Sequence, residues 1–173
     1  QQTIGNITAL LDEAIPHLKW KEDEVNDGRM TKAGAMALKF KVLQWSASPT
    51  FNSDKSWHEY ADQYTCHGNY DKGRWDMAAD AGREFFKALE SEGQYALIQP
   101  QEQTHHARRL AYRKAYYDRG GSEILISTRH GYEAGTHDSF INQRYYSGPT
   151  LNYVNMFPWE DGSDFPEEFD WSV

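Results

Sequence analysis

Apolar residues recur at three- and four-residue steps through much of the first two thirds of the chain, the spacing of amphipathic helices. Ile4, Ile7, Leu11, Ala14 and Leu18 predict a first helix over residues 3–20, with a kink or an end near Ile15 because Pro16 removes a backbone donor. A charged stretch, residues 19–27, runs into the Asp27-Gly28 turn signal. The segment 31–48 predicts an inner helix. Its apolar positions (Ala33, Met36, Ala37, Phe40, Leu43 and Ala47, then Leu38, Val42 and Trp45) cover more than one stripe, so the helix must pack on at least two sides. Thr31 is placed to cap its start, and Pro49 makes Ser48 its boundary. Residues 49–70 lack helical periodicity and predict a long loop.

A further helix is predicted over 71–92, with Trp75, Ala78, Gly82, Phe85 and Leu89 on one face, Ala79 and Phe86 beside it, and Gly93 as its left-handed stop. Trp45, Trp75, Phe85 and Phe86 are assigned to the core. Residues 104–118 predict another helix, with Ala107, Leu110, Ala111 and Ala115 inside and Gly120-Gly121 breaking it. Residues 123–128 (EILIST) alternate with β-branched side chains and predict a strand. Residues 129–173 show no long periodicity and are expected to be irregular.

Three of these segments, in order, resemble the SusD/RagB family of glycan-binding outer-membrane lipoproteins. The first is the inner-helix block GRMTKAGAMALKFKVLQWSASPTFN over residues 28–52. The second is YDKGRWDMAADAGREFFKALESEGQYAL over 70–97, and the third is GPTLNYVNMFPWEDG over 148–162. The resemblance implies a mainly α fold of tetratricopeptide-like helical hairpins, here with a short β element and long irregular C-terminal loops. The sequence alone shows no self-similarity near the roughly 34-residue tetratricopeptide period. Family members are longer, so residues 1–173 are expected to form a single, incomplete helical domain; the start at Gln1 rather than Met agrees with that. The resemblance further implies oligosaccharide binding without cleavage, delivery to a SusC-like TonB-dependent transporter, and a place on the outer membrane through a lipid anchor outside this chain.

The 173 residues carry a formal net charge of -8. No Lys or Arg follows Arg144, whereas Glu160, Asp161, Asp164, Glu167, Glu168 and Asp170 crowd the end. A chain without a broad basic face is a poor nucleic-acid binder. The single cysteine, Cys66, leaves no internal disulfide. His105 and His106 point to different faces of a helix, and no HExxH spacing occurs, so no metal site and no cofactor is expected. Asp161-Gly162-Ser163-Asp164 lacks EF-hand spacing and reads as a solvated acidic tail. Glycoside hydrolysis needs two carboxylates about 5–10 Å apart, and no catalytic motif marks such a pair. The cations Arg108, Arg109, Arg113, Lys114 and Arg119 read first as a solvated face; pairing with the acidic tail ranks second, and an acidic sugar third.

The aromatic residues are the informative set, at 14% of the chain with eleven Tyr and six Trp. A flat ring matches the apolar C–H face of a sugar, and neighbouring amides and charged groups fix its hydroxyls. The segment 130–148 offers Tyr132, Tyr145 and Tyr146 beside His137, Asn142 and Arg144. Trp57 lies in the other candidate loop. The alternative function is a helical-repeat module that binds a protein or peptide and no sugar.

Overall fold

A computed structural model describes residues 2–62, 64–118, 120–127, 150–159 and 161–163. The chain forms two units, residues 1–128 and residues 129–173, each described by itself. Its described elements are helical. They are α1 (Gln2–Ala14), a 3-10 turn (Ile15–His17), α2 (Lys32–Ala47), α3 (Lys72–Glu92), α4 (His105–Tyr117) and, in the second unit, α5 (Leu151–Asn155).

Local chemistry sets the helix ends. The α-helical pattern of α1 stops at Ala14, and Pro16 sits in the 3-10 turn that follows. Thr31 is extended, and its hydroxyl accepts the Gly34 N–H at 3.0 Å, which caps α2. Ser48, just before Pro49, leaves the helical region. Asp71 caps α3 through the Gly73 N–H, and Gly93 ends it at φ +65°. Thr104 and Thr150 cap α4 and α5 in the same way as Thr31.

Helix α2 lies at the centre of the first unit, packed on α3 and α1. Its small residues are what allow this. Ala33, Ala35 and Ala47 are fully buried, and Gly34 lies under the backbone of residues 120–127, within reach of the Leu125 carbonyl. Across the α2–α3 contact, the Phe40 ring seats against Gly82, with Ala78, Ala81 and Phe85 completing the buried face of α3. Lys39 of α2 pairs with Asp12 of α1 at 2.6 Å. Trp20 closes the far end of the layer. Its indole N–H donates to the Gly93 carbonyl at 2.9 Å, and its ring meets Tyr95 edge-on.

Four expectations are corrected. Residues 123–127 do not form a strand, and no strand occurs among the described residues. A ladder needs a run of backbone partners, but here a single backbone bond is supplemented by side chains. Ser122 holds Ala96 through both its carbonyl and its hydroxyl, and a Glu123 carboxylate oxygen accepts the Ile98 N–H. Second, Trp45, Trp75 and Phe86 are exposed rather than core, and only Phe85 of that group is buried. The predicted stripe of α3 holds at Ala78, Gly82 and Phe85, which are buried, but at its start Arg74 rather than Trp75 faces inward. Third, Leu110 of α4 is exposed while Ala111 is buried. Fourth, the stretch after residue 129 is not wholly irregular, since Leu151–Asn155 is helical. Tyr153 of that helix meets Phe157 edge-to-face, and farther on Asp161 accepts both the N–H and the hydroxyl of Ser163, which hold its carboxyl below the usual range.

Candidate functional site: an aromatic loop on a clamped base

The inward turn of Arg74 is explained by the loop 49–70. Arg74 is 8% exposed, and its guanidinium donates to three acceptors: Asn52 Oδ1 (2.7 Å), the Asn69 carbonyl (2.9 Å) and Asn69 Oδ1 (3.0 Å). Among the described residues it forms no ion pair; amide dipoles solvate the charge instead. Asn52 is as deeply buried and behaves like a peptide unit. Its Oδ1 accepts the Asp71 N–H at 2.7 Å, and its Nδ2 donates to the Asp71 carbonyl at 2.9 Å. Asp54 accepts the Tyr70 N–H, and the His67 N–H donates to the Phe51 carbonyl. The two ends of the loop are therefore fastened to each other and to α3.

A further tie runs to α2. The Nε2 of His67 lies 3.0 Å from the Ser46 hydroxyl and 3.1 Å from the Ser46 carbonyl. Burial, and then the positive charge of Arg74, hold the His67 imidazole below its ordinary value of 6.5, against the opposing Ser46 carbonyl and Asp71. The sign of the pH dependence follows. Below 6.5 the unfolded chain binds this proton more readily than the folded one, so stability is full above 6.5 and falls as the pH drops through the window beneath it. Denaturation midpoints measured across that range should decline on the acid side in the native sequence. His67→Gln should flatten this component; an unchanged slope would place the linkage elsewhere.

Above the clamp, Asp62 organises the turn of the tip by accepting the N–H groups of Tyr64 and Thr65. Trp57, His58 and Tyr60 form a run of neighbouring rings, with centroids 5.3 Å and 5.2 Å apart. Trp57 and Tyr60 are 61% and 77% exposed. The Tyr60 N–H donates to His58 Nδ1, so a neutral His58 carries its proton on Nε2. The rings are tilted 56° and 47° to one another, so this open aromatic platform is a set of angled faces with polar tips, each able to stack on a ligand and hydrogen-bond at its edge.

Of the residues singled out from the sequence, Trp57 lies on this platform. Tyr132, His137, Asn142, Arg144, Tyr145 and Tyr146 lie outside the described residues. His58 and Tyr60 were visible only as members of an aromatic loop; no spacing rule for loops says which rings meet. The clamp residues Asn52, His67 and Arg74 were missed, and their signal was weak: an asparagine after Ser-Pro-Thr-Phe and an arginine on an otherwise apolar helix face. A cleft of about 830 Å³ lies elsewhere in the first unit, between residues 21–31, 94–95 and 120–127. It offers a poorer stacking surface. The Tyr95 ring in its wall already has the Lys21 ammonium 5.0 Å from its centroid and Trp20 against it.

No family model and no curated protein matches the chain. Among solved structures it is similar to BT4246 from Bacteroides thetaiotaomicron, with 21% identity and a TM-score of 0.52 over 75% of this chain. The chain covers 27% of the length of BT4246. At that identity the likeness concerns the fold alone: the helical arrangement described above is shared with a stretch of BT4246.

Proposed function

We propose that the protein binds oligosaccharide at the bacterial cell surface, without cleaving it, for delivery to a SusC-like TonB-dependent transporter. In this reading the helices are tetratricopeptide-like hairpins of a SusD/RagB-type protein, lipid-anchored by a segment outside this chain. The observation that carries it is the exposed Trp57–His58–Tyr60 platform on a loop whose ends are fixed by buried hydrogen bonds. A fixed base limits the ordering cost of binding, and exposed rings supply the stacking surface. The resemblance of residues 28–52, 70–97 and 148–162 to the family supports the same reading, as does the fold likeness to BT4246.

The test combines a glycan array on the full chain with calorimetry of the glycan it identifies. Trp57→Ala is expected to weaken binding about tenfold, or about 1.4 kcal/mol, with an unchanged melting temperature because the ring supports no core. Wild-type affinity in that variant would remove Trp57 from the site. The second reading, a helical module that binds protein, is favoured by the exposed Trp75, Met77 and Phe86 of α3. It predicts that no glycan is retained on the array and that a protein ligand is lost on Phe86→Ala.

A further inference from the structure

Helix α4 carries Arg108, Tyr112 and Tyr116 at four-residue steps, which places them on one face. The two tyrosine rings are 5.2 Å apart, with their hydroxyls 3.3 Å from each other. They are 67% and 72% exposed, so they support little of the core. Beside them Ala111 and Ala115 form the floor of a groove of about 500 Å³, and the segment from Leu97 to Pro100 forms its other wall. That size lies within the range of small-molecule sites.

The groove is not simply apolar. Arg108 enters it with one N–H bonded to Gln103 Oε1 at 3.0 Å, and a guanidinium has five donors in all. Glu123 lines it as well, with one carboxylate oxygen fixed by the Ile98 N–H. Ring faces together with a guanidinium and a carboxylate form a donor and acceptor set for a polyhydroxylated ring; a lipid tail would leave those groups unsatisfied. Charge narrows the class further. The helix contains Arg108, Arg109, Arg113 and Lys114 and no acidic residue, within a chain of net charge -8; Lys114 pairs with Asp118 at the helix end, and Arg108 is the cation that lines the groove, together with Glu123. Such a local positive field attracts anions.

We propose that this groove binds an anionic oligosaccharide, with one sugar ring against Tyr112 and Tyr116 and its carboxylate or sulfate on Arg108. The proposal rests on the glycan-binding reading above and adds a second, charge-selective site to it.

The experiment presents the full chain to an array of uronate-bearing, sulfated and neutral oligosaccharides. Calorimetry then follows on a short oligogalacturonate, a chondroitin sulfate oligosaccharide and a neutral galacto-oligosaccharide. At least one anionic probe should bind about tenfold more tightly than the neutral one, and added salt should erode that advantage. Tyr112→Ala with Tyr116→Ala should remove about tenfold of the anionic binding at an unchanged melting temperature. Should that pair of changes disturb folding, the exposed Arg108→Gln provides the independent arm: it should abolish the preference for anionic over neutral probes. Anionic binding that survives both the tyrosine and the arginine variants overturns this site and leaves the glycan reading standing. Equal affinity for neutral and anionic probes overturns the charge assignment. Retention of no glycan at all removes both the site and the reading beneath it.

Discussion

Replacing Arg74 with alanine should cost about 2–4 kcal/mol of stability, since hydrogen bonds to charged groups contribute about 1.5–3 kcal/mol and buried acceptors left unpaired add a penalty. The Asn69 carbonyl and Asn69 Oδ1 would lose the Arg74 donor, and Asn52 Oδ1 would lose one of its two donors. Asn52 would keep its two bonds to Asp71, so the loop should loosen at the Asn69 end first. Urea unfolding measures the stability loss, and limited proteolysis reads the loosening as faster cleavage within residues 49–70. Arg74→Lys should not restore the native state, because one ammonium cannot reproduce a planar fork that reaches Asn52 and Asn69 together. A native melt and native protease resistance in Arg74→Ala would show that the clamp does not hold the loop.

The second large effect is expected at Gly34. A Cβ built there would lie 2.8 Å from the Leu125 carbonyl oxygen, 3.1 Å from Ile126 Cγ1 and 3.2 Å from Thr31 Oγ1. The nearest atom belongs to backbone and cannot rotate away. Gly34→Ala should therefore push residues 120–127 off α2 and destabilise by about 1–3 kcal/mol, in spite of a helix-propensity gain of about 1 kcal/mol. Gly5 of α1 is the matched control. Nothing lies within 4 Å of its would-be Cβ, so Gly5→Ala should stabilise by up to about 1 kcal/mol. Thermal melts of the two variants should move in opposite directions; a shared direction would show that the approach of Leu125 to Gly34 imposes no constraint.

These two sites mark the boundary of what the sequence made legible. The helix limits could be read because their causes are local: the Thr31 hydroxyl, Pro16, Pro49 and Gly93 act within a few residues of themselves. The wide apolar surface of α2 likewise announced packing on several sides. What could not be read depends on partners distant along the chain. Arg74 is buried because Asn52, 22 residues earlier, offers it an acceptor, and that choice turns Trp75 outward. Residues 123–127 have strand-like composition, but Ser122 and Glu123 satisfy the neighbouring backbone with side chains. At the candidate site, Trp57 was recognisable as a loop aromatic. Its company with His58 and Tyr60 depends on how the loop turns, which periodicity does not encode. The i, i+4 spacing of Tyr112 and Tyr116 was present in the sequence, and reading α4 as a solvated basic face passed over it.

The clamp beneath the aromatic loop divides labour along the chain. Its anchoring side chains sit at Ser46, Asn52, Asp54, His67, Asn69 and Arg74, all at the edges of the loop. The described residues between Asp54 and His67 contribute no side chain to those anchors. Loop-closure entropy grows only slowly with length, so the interior of the loop is free to diverge in sequence and size while its ends stay in register. Substitutions and changes of length can therefore accumulate between the two clamped ends without breaking the clamp. The same geometry makes this loop a cassette, exchangeable between scaffolds that keep the asparagine and the arginine.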